Sequence, residues 1–431
     1  MPWFPGLEAH FDLSTRSTVP AGALQHIVTD TVLTTPSKKA TAAQRSPRDG
    51  TFHADQVAAI AAGHFTHDVY SAFLAPLLPL IQERLGVGYA LTGGLSIFTQ
   101  LPSLLNPFIG YLADRVSLRY FIILAPAVSA TLFSSLGLTS NYLTLAMLLL
   151  AAGVSIAAFH APAPAMVGQV AGRRVGTGMS IFMAAGELAR TVGPLVVVAG
   201  VTWFGLEGIW RLAVGGWLVS GLLYLRLRHV SAMPPPTAPT LLAHFWPQAR
   251  RVFLPLSWLM TGRLFMMAAL TTYLPLFMRD VLHTNLWLAA ASLTILEGAG
   301  FVGALVTGTL SDRLGRKRIL LLLFGLAPLL LLAFLFGPLW LTPVSLVLLG
   351  LVAISPQPVM LALVQDQFSA HRALANGIYL MLGFLMRAAA VWIVGFLADR
   401  FGLHNAYLAS GLIALVSIPA VFFLPASGDE A

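Results

Sequence analysis

Polar and apolar positions alternate along this chain in long blocks, not with the short period of a half-buried helix or strand. Twelve blocks stay predominantly apolar over about 20 residues, the length that crosses a bilayer as a helix. The predicted spans are 56–81, 89–113, 119–138, 142–168, 176–202, 209–226, 254–279, 286–310, 319–338, 342–366, 373–398 and 404–424. The pattern predicts an all-α membrane protein with twelve transmembrane helices.

The twelve blocks divide into two sets of six. Residues 54–228 hold the first set and residues 253–425 the second, with a polar, proline-containing linker at 229–252. Residues 1–53 are rich in Ser, Thr, Pro and Ala and lack the apolar core of a secretory signal. We interpret them as a flexible cytoplasmic tail, or as the product of an over-called start codon. Residues 426–431 form a short C-terminal tail.

Composition supports a membrane protein. Charged residues make up 10% of the chain and hydrophobic residues 57%, whereas a soluble domain carries about 25% charged residues. The net charge of +8 does not indicate a nucleic-acid partner, because Lys and Arg in a membrane protein first report orientation. The chain has no cysteine, which excludes disulfides, thiolate metal ligands and a cysteine nucleophile.

Arginine and lysine concentrate in the loops that follow spans two, four, six, eight and ten. By the positive-inside rule these loops face the cytoplasm. Both termini then lie in the cytoplasm, and we expect a multi-pass protein of a bacterial inner membrane.

A charged turn occurs at the same place in each half of the chain. The first copy reads GYLADRVSLR over residues 110–119, and the second reads GTLSDRLGRKR over residues 308–318. Glycine permits close approach of two backbones, and an Asp-Arg pair can hold a turn at the water boundary. We expect these turns to control opening of the cytoplasmic end. The candidate gating residues are Gly110, Asp114, Arg115, Arg119, Gly308, Asp312, Arg313 and Arg316.

The repeated G-x-L-x-D-R turn resembles the loop signature of the major facilitator superfamily. That resemblance implies two pseudo-symmetric six-helix bundles around a central cavity, with a substrate site near the bilayer midplane and alternating access. It also implies that helices one, four, seven and ten line the cavity, whereas three, six, nine and twelve lie outside.

The distribution of ionisable residues gives this partition independently. Spans three, six, nine and twelve have none in their interiors. Spans one, four, five, seven, eight, ten and eleven carry His64, His67, Asp68, His160, Glu187, Arg190, Arg263, Glu297, Asp366 and Arg387. A charge in the membrane is costly, so it faces partners or water and not lipid. The charged spans therefore surround a hydrated path.

Span one carries a compact polar group at mid-depth. His64, His67 and Asp68 share one face of a helix. Asp68 is the predicted proton carrier, tuned by the imidazoles and meeting Arg263 in one state only. Two alternatives stay open. His-x-x-His spacing can chelate a metal, although no second group of ligands is evident, and the three side chains can also form an internally hydrogen-bonded structural cluster. We expect no metal and no cofactor.

The remaining charges provide the predicted substrate site. Glu187 and Arg190 lie three positions apart and can neutralise each other, and we group Glu187 and Glu297 with the proton-coupling residues. The predicted substrate-binding residues are His160, Arg190, Arg263 and Arg387. A guanidinium stays charged and binds a carboxylate or phosphonate through two hydrogen bonds, which favours an anionic or zwitterionic substrate.

A narrower resemblance covers about residues 54 to 425. His64-Phe65 with Asp68, the Pro76-Leu77-Leu78 run, and Gly153 through Phe159-His160 are similar to the fosmidomycin-resistance family of drug exporters. The chain departs from that family at Glu187, Arg190, Glu297 and Arg387, where an amide or apolar residues are usual. The resemblance implies drug efflux but does not identify this chain's substrate.

The sequence thus predicts a proton-coupled secondary transporter that exports a small organic compound. Its partners are the substrate, protons and the lipid bilayer, and it is expected to be a monomer. An uptake carrier for a small organic acid is the nearest alternative, and a transporter-like, non-transporting sensor is the second. We do not expect an enzyme, because no nucleophile–base pair, phosphate-binding loop or metal signature is evident.

Overall fold

The computed structural model describes residues 51–106, 109, 117–172, 174–230, 245–368 and 372–425. Regular structure in this part of the chain is helical throughout. Nine described segments are long and apolar enough to cross a membrane. One of them, Thr177–Leu227, contains two spans, because the chain turns back at Gly205, whose φ is 72°. Spans one and two are interrupted helices that add to this set, so the described residues are consistent with twelve spans.

Spans one to six form the N-terminal bundle. Their helical segments are Ala54–Ser71 with Leu74–Leu85, Tyr89–Gln100 with Leu101–Leu105, Arg119–Ser134, Tyr142–His160 with Ala163–Val170, Val175–Gly208, and Ala213–Leu227. Residues 1–50 of the predicted tail (1–53), residues 231–244 of the predicted linker (229–252) and residues 426–431 lie outside the described residues.

Spans seven to twelve form the C-terminal bundle. Their segments are Phe245–Met267 with Ala268–Tyr273 and Leu274–Asp280, Leu286–Leu314, Arg316–Phe336, Thr342–Leu349 with Gly350–Ile354 and Pro356–Gln367, Arg372–Phe401, and Leu403–Ser417 with Ala420–Phe423. Span seven begins at Phe245, inside the predicted linker, because Ala249 and Val252 are buried and extend the helix's apolar face.

Two spans of the C-terminal bundle widen locally into π-helix. The wide turns are Ala268–Tyr273 in span seven and Gly350–Ile354 in span ten. Such turns leave backbone carbonyls without the usual helical partner and are frequent at functional sites. Here the carbonyl of Ile354 accepts a hydrogen bond from Arg263, and that of Ala269 accepts one from Tyr407.

Spans three, six, nine and twelve lie at the periphery, as predicted. Spans three and six pack together, as do nine and twelve, whereas spans one, two, five, seven, eight and eleven provide the main packing between the bundles. The peripheral spans expose large side chains such as Leu124, Leu218, Leu322 and Val416. An apolar exposed face of this size suits lipid.

The bundles are joined at one end by hydrogen bonds, and we call this the sealed end. Tyr89 Oη donates to Asp280 Oδ2 at 2.8 Å. Arg279 donates to Gln82 Oε1 at 2.5 Å and to the Pro79 carbonyl. The opposite end, where the span-six helix ends at Leu227 and the span-seven helix begins at Phe245, is called the linker end.

Glycine makes close packing possible at the sealed end. A Cβ atom at Gly93 in span two would overlap the ring and hydroxyl of Tyr273 in span seven. Tyr273 is buried, and its hydroxyl donates to the Val391 carbonyl at 2.8 Å, so the ring cannot easily move. At the neighbouring Gly94, the nearest atom to such a Cβ is the Tyr142 hydroxyl at 3.4 Å.

We therefore predict that Gly93→Ala opens the sealed end, whereas Gly94→Ala does not. Overpacking by one methyl costs about 1–3 kcal/mol, which lowers the ratio of sealed to open protein by about fivefold to 150-fold. Double electron–electron resonance between spin labels on Ser140→Cys and Leu339→Cys measures the separation, and the absence of native cysteine makes the labels unique. Gly93→Ala and Gly94→Ala raise helix propensity by the same amount, so a difference between them reports packing. Equal distance distributions for the two variants would contradict the close-packing argument.

Candidate functional site

Eight of the ten ionisable residues expected in the spans gather into two groups. The histidine cluster consists of His64, His67, Asp68 and His160. The bridging cluster consists of Glu187, Arg190, Glu297 and Arg387. Spans one and four supply the first group, and spans five, eight and eleven supply the second.

Asp68 lies at the centre of the histidine cluster. Its Oδ1 lies 2.9 Å from His67 Nδ1 and 3.5 Å from His160 Nε2, and its Oδ2 lies 3.3 Å from His64 Nε2. His64, His67 and Asp68 are buried, whereas 37% of the His160 side chain is exposed. The predicted face of span one therefore exists, and the structure adds to it an imidazole that we had assigned to the substrate site.

Backbone carbonyls fix two of the imidazoles. His64 Nδ1 lies 2.7 Å from the Phe182 carbonyl, and His160 Nδ1 lies 3.0 Å from the Ile156 carbonyl. A carbonyl only accepts, so each Nδ1 carries a hydrogen. In the neutral ring the lone pair is then on Nε2, the atom that faces Asp68 in both residues.

Aromatic packing and one glycine hold these rings in place. His64 stacks on Phe182 at a centroid distance of 4.0 Å, and His67 stacks on Phe159 at 4.6 Å. A Cβ at Gly186 in span five would lie 2.7 Å from His64 Nε2. Glycine at that position therefore allows span five to pack against the cluster.

The histidine cluster includes a set of atoms that could hold a metal ion. Ligand atoms of His64, Asp68 and His160 all lie within 4.8 Å of one another. The sequence predicts no metal there, because it identifies ligands from span one only. The third ligand comes from span four, and the fold alone brings it close.

The bridging cluster joins the two bundles through charge. Arg190 forms an ion pair with Glu187 on its own helix, as the i, i+3 spacing predicts. Its Nε also lies 3.9 Å from Glu297 Oε2, which belongs to span eight of the other bundle. Spans five and eight come together here because Gly298 packs against Thr191. A Cβ atom added at Gly298 would lie 3.1 Å from Thr191 Cγ2.

The other two arginines contact uncharged oxygen atoms. Arg387 Nη2 donates to Thr271 Oγ1 at 2.9 Å, and Arg263 Nη2 donates to Gln357 Oε1 at 3.2 Å. Among the described residues, no carboxylate lies within ion-pair distance of either guanidinium. Arg263 is buried and borders a small cavity between spans seven, nine, ten and twelve, so it lies inside the C-terminal bundle and not on the open face expected from the sequence.

Most of the first charged turn lies outside the described residues, including Gly110, Asp114 and Arg115. In the second turn the side chain of Asp312 also lies outside them. Arg119 begins the helix of span three. In the second turn Gly308 is within the span-eight helix and Arg313 is exposed.

Arg316 Nη1 donates a hydrogen bond to Ser311 Oγ at 2.6 Å, and Arg316 Nε lies 3.2 Å from Asp366 Oδ2. Asp366 is therefore a partner of the turn at the linker end and not a residue of the hydrated path.

Sequence reasoning missed the sealed end, although the sequence contains a signal for it. Residues 395–400 read GFLADR, a third copy of the turn pattern. Asp399 of this copy accepts hydrogen bonds from the backbone N–H groups of Tyr89 at 2.5 Å and Ala90 at 2.9 Å. A carboxylate from span eleven thus caps the first turn of span two, a favourable position for a negative charge.

Comparison with known proteins agrees with this architecture. The family model described as the Major Facilitator Superfamily matches residues 60–390 and 299–431. The Fosmidomycin resistance protein of Escherichia coli (strain K12) is 22% identical over 377 residues, which cover 84% of this chain and 91% of that protein.

Solved structures give the same result for the fold. A bacterial homologue of the human lysosomal transporter Spinster, inward-facing and unoccupied, superposes with a TM-score of 0.71 at 14% identity, covering 85% of this chain and 96% of its own. A D-xylose–proton symporter gives 0.65 at 15% identity, covering 86% and 98%. Because the family model spans most of the chain, this protein belongs to the Major Facilitator Superfamily.

Proposed function

We propose that this protein is a proton-coupled exporter of a small anionic or zwitterionic organic compound, working by alternating access in a bacterial inner membrane. The observation that carries the proposal is the Arg190–Glu297 contact, a charged contact that crosses between the bundles at mid-depth. As a member of its superfamily the chain is a multi-pass membrane transporter of small molecules. The coupling ion, the substrate class and the direction are the proposal.

Coupling requires a carboxylate whose proton affinity changes when the bundles move. A carboxylate holds its proton more tightly in an apolar setting than beside a guanidinium. Glu297 meets this requirement, since Arg190 belongs to the other bundle and separates from it when the bundles rock. The charged groups that act on Glu297 are Arg190, Glu187, Arg387 and Arg263.

Glu297, and not Asp68, is therefore the proposed proton carrier. The partners of Asp68 are His64, His67 and His160, all within the N-terminal bundle. A rigid-body movement of one bundle against the other leaves those contacts unchanged. Asp68 therefore has a constant environment during transport, whereas Glu297 does not.

The contacts of Arg387 support an anionic group on the substrate. Both carboxylates of the bridging cluster contact Arg190, whereas Arg387 of the same cluster donates to the neutral hydroxyl of Thr271. A guanidinium in the membrane is costly without an anion. A substrate carboxylate or phosphonate would supply that anion through two hydrogen bonds.

Two observations favour export with the linker end in the cytoplasm. The loops at the linker end carry most of the arginine and lysine. The relative from Escherichia coli is named for resistance to fosmidomycin. Removal of a compound from the cytoplasm is the simplest way for a membrane carrier to give resistance.

We predict that Glu297→Gln uncouples transport from the proton gradient. Purified protein in liposomes is screened for compound-dependent proton flux with a panel of small carboxylates, phosphonates and zwitterions, including fosmidomycin. For a compound that responds, Glu297→Gln should lose gradient-driven flux by about tenfold or more, while equilibrium exchange persists, because the neutral side chain can bind but cannot carry a proton. Glu187→Gln, which removes the same-helix partner, is the matched control.

Variants of Asp68 and Glu297 distinguish Glu297 as the proton carrier from Asp68, the carrier expected from the sequence. Uncoupling by Asp68→Asn with normal gradient-driven flux in Glu297→Gln would contradict the bridging mechanism. A wild-type protein that moves no compound and no proton in either direction would contradict the transport proposal and favour a sensor.

A second prediction concerns Arg387 and substrate charge. Arg387→Gln should weaken binding of an anionic substrate by about tenfold to a hundredfold, since a hydrogen bond to a charged group contributes about 1.5–3 kcal/mol. Arg318→Gln, at an exposed arginine of the linker end, should have no such effect. Half-saturation concentrations in the exchange assay measure both. Equal affinities for wild type and Arg387→Gln would remove Arg387 from the substrate site.

A further inference from the structure

The histidine cluster presents three electron-pair donors to one small volume. Nε2 of His64 and Nε2 of His160 face the carboxylate of Asp68, and both Nδ1–H groups are already committed to backbone carbonyls. Two lone pairs and an anion repel one another unless a cation lies among them. The arrangement therefore requires either protons or a metal ion.

Distances favour a shared ion over direct hydrogen bonds. The two separations between imidazole nitrogen and carboxylate oxygen are 3.3 and 3.5 Å. They exceed the range of about 2.7–3.2 Å for N–H···O hydrogen bonds. Zinc bonds to nitrogen and oxygen are about 2.0–2.2 Å long, which places two tetrahedral ligands about 3.4 Å apart. The two observed separations, one from each carboxylate oxygen of Asp68, match this value, and one ligand atom from each of the three residues lies within 4.8 Å of the other two.

The surroundings have the features of a metal site beyond its first ligands. Metal-bound histidine usually donates its other N–H to a carbonyl, and metal-bound carboxylates are themselves hydrogen-bonded. His64 and His160 meet the first condition through Phe182 and Ile156. His67 meets the second, because its Nδ1 lies 2.9 Å from Asp68 Oδ1. The half-exposed His160 gives an entry path.

We propose that His64, Asp68 and His160 bind one divalent transition-metal ion of the zinc type. Two imidazoles and one carboxylate suit Zn²⁺, Co²⁺ or Ni²⁺, whereas Ca²⁺ and Mg²⁺ prefer oxygen ligands. A fourth position remains for water or a substrate atom. The ion would tie span one to span four within the N-terminal bundle. Binding at equilibrium needs no transport, so this proposal is independent of the proposed function.

Cobalt titration of the full-length, tag-free protein in detergent tests the site. Co²⁺ gives a visible ligand-field spectrum that reports nitrogen and oxygen ligands, and Zn²⁺ should displace it. We expect one Co²⁺ per chain, and affinity about tenfold or more weaker in His160→Gln and in Asp68→Asn. His404→Gln, which changes a histidine in span twelve outside the cluster, should bind as wild type does.

A geometric variant separates a true site from a general loss of histidine. Gly186→Ala keeps every ligand and every charge but places a methyl 2.7 Å from His64 Nε2. We expect it to weaken Co²⁺ binding by about tenfold or more. The matched Gly221→Ala lies in span six, where a Cβ meets nothing within 4 Å, and should have no effect.

Clear outcomes would overturn the proposal. Co²⁺ binding that is unchanged in both His160→Gln and Asp68→Asn would locate the ion elsewhere in the chain. Absence of stoichiometric binding by the wild type would exclude the site. Melting curves without metal verify that each variant is folded, so weaker binding is not mistaken for unfolding. Either failure leaves the flux measurements on Glu297→Gln unaffected.

Discussion

The cost of placing a charge inside a membrane constrains the rest of this structure. An ionisable side chain at the centre of a span costs about 3 kcal/mol even on insertion scales. Each such residue therefore needs a partner, and the partner must come from a neighbouring helix or from the same helix one turn away. The pairing of Arg190 with Glu187 and Glu297 and the surrounding of Asp68 by imidazoles satisfy this demand. The peripheral spans avoid this free-energy cost because they carry no charge in their interiors.

The location of a partner then decides what a charge can do. Contacts within one bundle persist when the bundles move as rigid bodies, so they favour permanent binding of an ion or proton. Contacts across the interface are made and broken by the same movement, so they can transmit it. The Asp68 contacts are of the first kind. The Glu297–Arg190 contact and the capping of Tyr89 by Asp399 are of the second.

Local spacing explains how much of this could be predicted from the sequence. Apolar block length predicted the all-α fold, and the distribution of ionisable residues predicted the peripheral spans. Three- and four-residue spacing predicted the Glu187–Arg190 pair and the His64–Asp68 face. What local spacing cannot give is a contact between distant helices. His160 joins Asp68 from span four, and Glu297 meets Arg190 from another bundle. Arg263 was placed on the open face because an arginine in a span suggests a substrate, but its Nη2 donates to neutral oxygens of span ten inside the C-terminal bundle.

Span five connects the two polar clusters through adjacent residues. Gly186 packs against the imidazole of His64, and Glu187 pairs with Arg190. An ion that fixes His64 also fixes the backbone of span five, because the close approach at Gly186 leaves no room for independent movement. The position of Glu187 then sets where Arg190 lies, and so how closely Arg190 approaches Glu297. Occupancy of the histidine cluster would in this way bias the contact that crosses between the bundles, although no side chain of that cluster belongs to the C-terminal bundle.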